Sequence, residues 1–215
     1  MLIACWSSKG GAGTTVVATA LALLLARHGE GGAVLVDLAG DVPAVLGLPE
    51  PDDPGVAGWL AAGGDVPVDA LTRLEQPGAP GLAILTRGRG PLADDRGAVL
   101  AALLGADPRP VVVDCGTAPA GVALTLAAGA GRSVLVTRAC FVSLRRAQAA
   151  PLRPSEVVLL AEPGHSLGAR DVEECLGVPV VATVDVDPAV ARAVDAGLLA
   201  ARLPRALVRE LRRAA

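Results

Sequence analysis

A short apolar run at residues 2–6 passes directly into Ser7-Ser8-Lys9-Gly10-Gly11-Ala12-Gly13-Thr14-Thr15, and an Ala/Leu/Val-rich stretch follows at residues 15–27. Strand, Gly-rich turn and helix in that order form the context in which successive backbone N–H groups and a helix N-terminus wrap a phosphate. Glycines let the chain turn tightly enough to present those groups. The same order also describes a ligand-free turn whose helix is capped by Thr14 or Thr15. The glycines alone do not separate the two readings.

Two further features favour the phosphate. The chain has 18 arginines and one lysine, and that lysine is Lys9, at the start of the loop. A compact ammonium on a flexible stem suits phosphate oxygens where a wide guanidinium is not tolerated. In addition, Val34-Leu35-Val36-Asp37 and Val111-Val112-Val113-Asp114 each end an apolar run on an acid. In open α/β sheets the C-terminal strand ends are where ligands bind. Lys9, Gly10, Gly11, Ala12, Gly13, Thr14 and Thr15 are therefore the candidate nucleotide-binding residues. Asp37 and Asp114 are expected to hold a magnesium ion and its waters beside the Thr15 hydroxyl.

Apolar runs recur at residues 2–6, 33–38, 82–85, 111–113, 134–136, 157–160 and 178–184, with helical or Gly/Pro-rich segments between them. Continuous hydrophobicity without polar alternation is the pattern of parallel strands covered on both faces. Joined by right-handed crossovers, they predict a three-layer, doubly wound, mostly parallel α/β sheet of about seven strands, with helices on both faces. The clearest helices are expected at residues 15–27 and 188–201, with Gly29 and Gly197 where a cap or break belongs. The Gly/Pro-punctuated segment 49–81 is read as two short helices, 56–62 and 68–74, packed at one edge.

Composition excludes several classes. A 52% hydrophobic chain is not disordered, and a net charge of -3 argues against coating nucleic acid through global charge. The longest apolar stretch, residues 16–26, is interrupted by Thr19 and is too short to span a bilayer. With no basic n-region ahead of the loop, a cytoplasmic location is expected. Cys5, Cys115, Cys140 and Cys175 form no C-x-x-C pair, and His28 and His165 lie near none of them, so a zinc site is not expected. A single phenylalanine and no tyrosine leave no platform for stacking nucleic-acid bases.

These residues resemble the ParA/MinD family of deviant Walker-A P-loop ATPases. Lys9-Gly10-Gly11-Ala12-Gly13-Thr14-Thr15 is similar to the family's K-G-G-x-G-K-[ST] loop, with Lys9 in the place of its signature lysine. Asp37 resembles the acid closing the second strand, Asp114-Cys115-Gly116-Thr117-Ala118-Pro119-Ala120-Gly121 the switch segment, and the stretch 184–199 the last strand and helix. Three positions depart. The phosphate-gripping lysine is replaced by Thr14, the water-positioning acid by Ala39, and the adenine-reading Asn after the sixth strand by Ala161-Glu162.

The resemblance implies a single P-loop NTPase-like domain over residues 1–215 and a degenerate, CpaE/TadZ-like member: a nucleotide-responsive or pseudo-ATPase switch with weak Mg·ATP binding coupled to homodimerisation. Its implied partners belong to a partition, division or pilus system. A slow genuine ATPase, with Lys9 acting in trans and Asp41 as a displaced acid, is the alternative. The C-terminal segment 203–215 sets Leu203, Leu207, Val208 and Leu211 opposite Arg205, Arg209, Arg212 and Arg213. It reads as a helix closing the sheet with a solvated Arg face, or as a peripheral contact with membrane or DNA.

Overall fold

The structure is a computed structural model describing residues 1–29, 31–63, 67–164 and 166–215; His165 lies outside them. Its strands are β1 (Leu2–Ser7), β2 (Ala33–Asp37), β3 (Gln76–Ala79), β4 (Leu82–Leu85), β5 (Val111–Thr117), β6 (Arg132–Arg138), β7 (Glu156–Ala161) and β8 (Val180–Asp185). The helices are α1 (Thr14–His28), α2 (Val42–Leu46), α3 (Gly55–Ala61), α4 (Gly97–Ala106), α5 (Gly121–Gly129), α6 (Phe141–Ala149), α7 (Ala169–Leu176), α8 (Pro188–Asp195) and α9 (Arg205–Leu211). The strands form one sheet in the order β3-β4-β2-β5-β1-β6-β7-β8. All pairings are parallel except β3 with β4.

Alternate residues along each strand feed two apolar layers, as the period of a strand requires. On one face Ala4, Trp6, Val113, Leu135 and Leu159 pack with Leu100, Leu126, Leu144 and Val172 of α4–α7. On the other, Ile3, Cys5, Leu35, Val112 and Val136 pack with Leu21 and Leu24 of α1, Val45 of α2, and Leu207 and Leu211 of α9. Burial pushes the Cys5 and Cys115 thiols up, so they serve as core hydrophobes.

All seven apolar runs are strands, and an eighth joins them. Gln76-Pro77-Gly78-Ala79 has no apolar run to reveal it, and its Pro lacks an N–H. An outer position, paired on one side only, tolerates both. Arg109 pins this edge: its guanidinium donates to Glu75 Oε1 and Oε2 at 2.6 and 2.9 Å and also pairs with Asp107. Residues 68–74 form two 3₁₀ turns, Val68–Ala70 and Thr72–Leu74, rather than one α-helix. The expected helix 188–201 stops at Asp195, because Gly197 adopts φ +64 and packs against Gly47, also left-handed at φ +71. A Cβ on Gly47 would lie 2.2 Å from the Gly197 carbonyl oxygen, so the two chains meet backbone to backbone.

The C-terminal segment closes the sheet. Leu207 and Leu211 are buried in the α1 layer while Arg205, Arg209, Arg212 and Arg213 face solvent. Those leucines are therefore not available to a lipid surface. Among the described residues, no helix is long and apolar enough to cross a membrane.

Candidate nucleotide site

The sheet order changes direction at β1, whose two neighbours, β5 and β6, come from later in the chain. A crevice opens at such a point beyond the C-terminal strand ends, and the loop after β1 occupies it. Gly11 and Gly13 sit at φ +73 and +78, which turns the chain sharply into α1. No side chain caps α1, whose first turn also lacks acids. Its leading N–H groups thus keep their capacity for an anion.

The loop is tied down on both sides. Ser7 Oγ lies 3.1 Å from Thr117 Oγ1, and the Ala118 N–H donates to the Ser7 carbonyl at 2.7 Å. Ser8 Oγ donates to the Ser143 carbonyl in the first turn of α6 at 2.9 Å. Ala118, at φ +49, is the one described non-glycine residue with positive φ, and it lies in the segment facing the loop.

A cleft of about 790 Å³ lies over the loop, lined by Gly11–Val16, Leu38, Ala39, Asp41, Ala44, Val45, Cys115–Thr117, Val194 and Asp195. None of these residues is Lys or Arg. A second cleft of about 540 Å³ shares Gly11, Gly13, Val16, Val194 and Asp195 with the first, so α8 forms a wall common to both. The second cleft is walled mainly by Leu160, Val17, Val184, Val190 and Leu207, with Arg138 as the one cation among its lining residues. Arg138 is ion-paired to Glu162 at 2.6 Å.

Asp37 and Asp114 meet beneath the loop as register partners on β2 and β5. Both are fully buried. Asp37 Oδ1 accepts from the Gly40 N–H at 2.6 Å and Oδ2 from the Val42 N–H at 3.1 Å, which shapes the turn into α2. Burial first, and then the Asp114 charge, push Asp37 up to about 6 against the pull of those N–H groups. Asp114 Oδ1 accepts from the Gly116 N–H at 3.0 Å, whereas its buried Oδ2 has no hydrogen-bond partner. Burial raises Asp114 most; the neighbouring Thr15 hydroxyl opposes that rise and the Asp41 charge adds to it.

An orphaned carboxylate oxygen beside a hydroxyl and a second acid is a donor set that fits a hard divalent cation. Asp114 and Thr15 supply free oxygen capacity, while Asp37 already uses both oxygens on backbone. Among the described residues no three acidic, His or Cys side chains cluster as a closed metal cage, so much of a cation's shell would come from water and phosphate.

The two residues expected to act on the phosphate lie apart. Asp41 is exposed in the first cleft near Ala39. Lys9 is half-buried on the α6 side of the loop, outside the lining of either cleft, and has no ion-pair partner among the described residues. Its charge is felt by Cys140, whose thiol is held below its ordinary value mainly by the Ser143 hydroxyl 3.0 Å away. Thr14 is buried at the base of the loop. Sequence reasoning missed Arg138 and the α8 wall. The available signal was Arg138 ending an apolar strand, just as Asp37 does.

No protein-family model matches the sequence, and no curated protein matches it either. Solved structures do match in shape. A ParA family ATPase from Chlorobium tepidum TLS superposes with a TM-score of 0.80 over 98% of this chain and 95% of its own, at 18% identity. The chain has a ParA/MinD-like fold. The septum site-determining protein MinD from Pyrococcus horikoshii OT3, complexed with Mg-ADP, gives 0.79 over 99% and 93%, at 18% identity. The ATP complex of a McdA variant from Cyanothece gives 0.69 over 99% and 95%, at 16% identity. Within the ParA/MinD-like fold, the loop after β1, Asp37 at the end of β2 and Asp114 in the middle of β5 occupy the crevice described above; β5 runs on to Thr117, past the acid at which the sequence had it end.

Proposed function

We propose that this chain is a nucleotide-responsive switch of ParA/MinD type that binds Mg·ATP weakly and turns it over little or not at all. The carrying observation is a phosphate-shaped loop beneath a cleft lined by no cation and by two acids, Asp41 and Asp195. Backbone N–H groups from residues 10–15 and the α1 dipole supply the attraction for a polyphosphate. Thr14 brings no charge to it. Thr15 and Asp114 would hold magnesium, which supplies charge neutralisation to the β- and γ-phosphates.

Lys9, unpaired and outside its own cleft, would complete the site of a second copy, which couples nucleotide binding to a homodimer. Ala39 carries no group to orient water. Losing that group and the loop cation removes stabilisation of the kind worth ~3 kcal/mol or more per donor in transfer chemistry. The structural neighbours include a ParA ATPase, a septum-site MinD, a MinC:MinD complex and a plasmid partition protein. That company supports a role in positioning or regulating a larger assembly of the partition or division kind; a pilus system as the alternative assembly and a cytoplasmic location belong to the same proposal. One domain spanning residues 1–215 is the corresponding unit.

Calorimetric titration with Mg·ATP tests the reading. Binding in the micromolar to millimolar range with a rise in dimer fraction is expected, and no binding up to millimolar would overturn it. The exposed placement of Asp41 in the cleft favours a second reading, a slow ATPase. Phosphate release that disappears in both Lys9→Ala and Asp41→Ala would select it.

A further inference from the structure

The second cleft opens directly off the phosphate loop. It shares Gly11, Gly13 and Val16 with the first, and a Cβ on Gly13 would lie 3.1 Å from Leu160 Cδ2, so the apolar wall stands against the loop itself. A nucleotide whose phosphates lie on the loop N–H groups finds about 540 Å³ here for its flat ring. Walls of Leu160, Val184 and Val190 hold such a ring by its faces without telling one base from another; only polar groups at its edge can do that.

Those polar groups are few. Arg138 is the one cation lining the cleft, and its acids are Asp185, Asp187 and Asp195. The ion pair with Glu162 leaves Arg138 under-satisfied: it engages Nη1, at 2.6 Å, while the buried Nε has no hydrogen-bond partner. The side chain is 36% exposed, so the guanidinium tip still presents a fork of N–H donors. Asp187 Oδ1 is taken by the Ala189 N–H at the start of α8, whereas Asp185 is exposed and has no ion pair among the described residues. Arg138 ends β6 and Asp185 ends β8, with β7 between them. Two strand spacings, about 10 Å, leave room for a ring between the fork and the carboxylate.

We infer that this cleft selects guanine over adenine, with Arg138 and Asp185 reading the base. Guanine presents two adjacent acceptors, O6 and N7, which match a fork of donors, and its N1–H and N2 amino groups match a carboxylate. Adenine sets its N6 amino donor beside N7, so a guanidinium fork meets a donor there. The side chains that suit adenine's mixed edge are the amides. The chain contains no asparagine, and its two glutamines, Gln76 and Gln148, lie outside the cleft. This deepens the proposed function and rests on it for the place of the phosphates on the loop.

GTP and ATP carry the same phosphates, so the ratio of their affinities isolates the base. Calorimetric titration of the full chain is expected to give a Kd about tenfold or more lower for Mg·GTP than for Mg·ATP. Arg138→Gln replaces the fork with the amide that suits adenine, and should abolish or reverse the preference. Asp185→Asn is a near-isosteric change at an exposed strand end and leaves the Arg138–Glu162 pair in place, which keeps the test open if Arg138→Gln folds poorly. It should weaken Mg·GTP binding by about fivefold or more. A wild type that binds Mg·ATP as tightly as Mg·GTP overturns the inference and leaves the switch standing. A preference for GTP that survives both substitutions overturns the assignment of Arg138 and Asp185. Binding of neither nucleotide up to millimolar overturns the proposed function, and the reading of the base falls with it.

Discussion

Asp37 and Asp114 face each other across adjacent parallel strands, fully buried, with every oxygen but one engaged by the backbone of its own turn. Two carboxylates in this position repel when both are ionised, and the desolvation of each adds to the cost. Folding therefore takes up protons at this site. Because the folded value of Asp37 is about 6 against 3.8 for the free side chain, the folded state binds more protons than the unfolded chain between those values. Stability from this group is present below about pH 4 and is lost as the pH rises through 6.

A shift of that size corresponds to about 3 kcal/mol. Asp37→Asn removes the titration at the price of one backbone hydrogen bond, a loss that does not depend on pH. Urea unfolding of both proteins from pH 4 to 7.5 is expected to show the variant gaining on the wild type as the pH rises. A difference that stays flat across that range would mean that Asp37 titrates normally.

A divalent cation should reverse the trend, since it compensates both charges in the form that is otherwise least stable. Magnesium is expected to raise the unfolding midpoint at pH 7.5 and to do little at pH 4.5. Asp114→Asn should abolish the effect, because it removes the free carboxylate oxygen. Thr15→Ala should weaken it. A magnesium response that survives Asp114→Asn would place the ion elsewhere.

The backbone contact between Gly47 and Gly197 joins the ends of α2 and α8, which with the start of α1 wall the first cleft. Gly197→Ala sets a Cβ 2.7 Å from Gly47 Cα and holds alanine at φ +64. Both strain and displacement follow, with an expected cost of about 2–4 kcal/mol. Nucleotide affinity should fall as well, because α8 contributes Val194 and Asp195 to the cleft. A loss of stability below about 0.5 kcal/mol would show that the two chain segments part freely.

The strands and the loop were legible in the sequence because their physics is local. Residues 2–6, 33–36 and 111–113 are apolar without interruption, and only a strand covered on both faces needs that. What the sequence hid was set by partners distant along the chain. Gln76–Ala79 is a strand because β4 offers its edge, and helix α8 stops at Asp195 because Gly197 meets Gly47. Lys9 was legible as the chain's single lysine, yet its position outside both clefts depends on Ser8 reaching Ser143, 135 residues later. Arg138 and Asp195 enter the site through the strand order alone.

Thr14 offers the most direct test of how far the loop has lost its grip. It is buried at the start of α1 beneath the first cleft, where a lysine stem would run along the loop toward a bound phosphate. An ammonium added there makes a charge-assisted hydrogen bond in a partly desolvated site. Thr14→Lys is therefore expected to raise Mg·ATP affinity about tenfold or more, read by calorimetry. Turnover should stay low, since Ala39 still leaves the attacking water without an orienting acid. Adding Ala39→Asp to Thr14→Lys is expected to bring phosphate release above that of either single variant, because the two groups act on different parts of one transfer step. If Thr14→Lys leaves the affinity unchanged, the loop is not where the phosphates sit, and the cleft above it must be read as a site for something else.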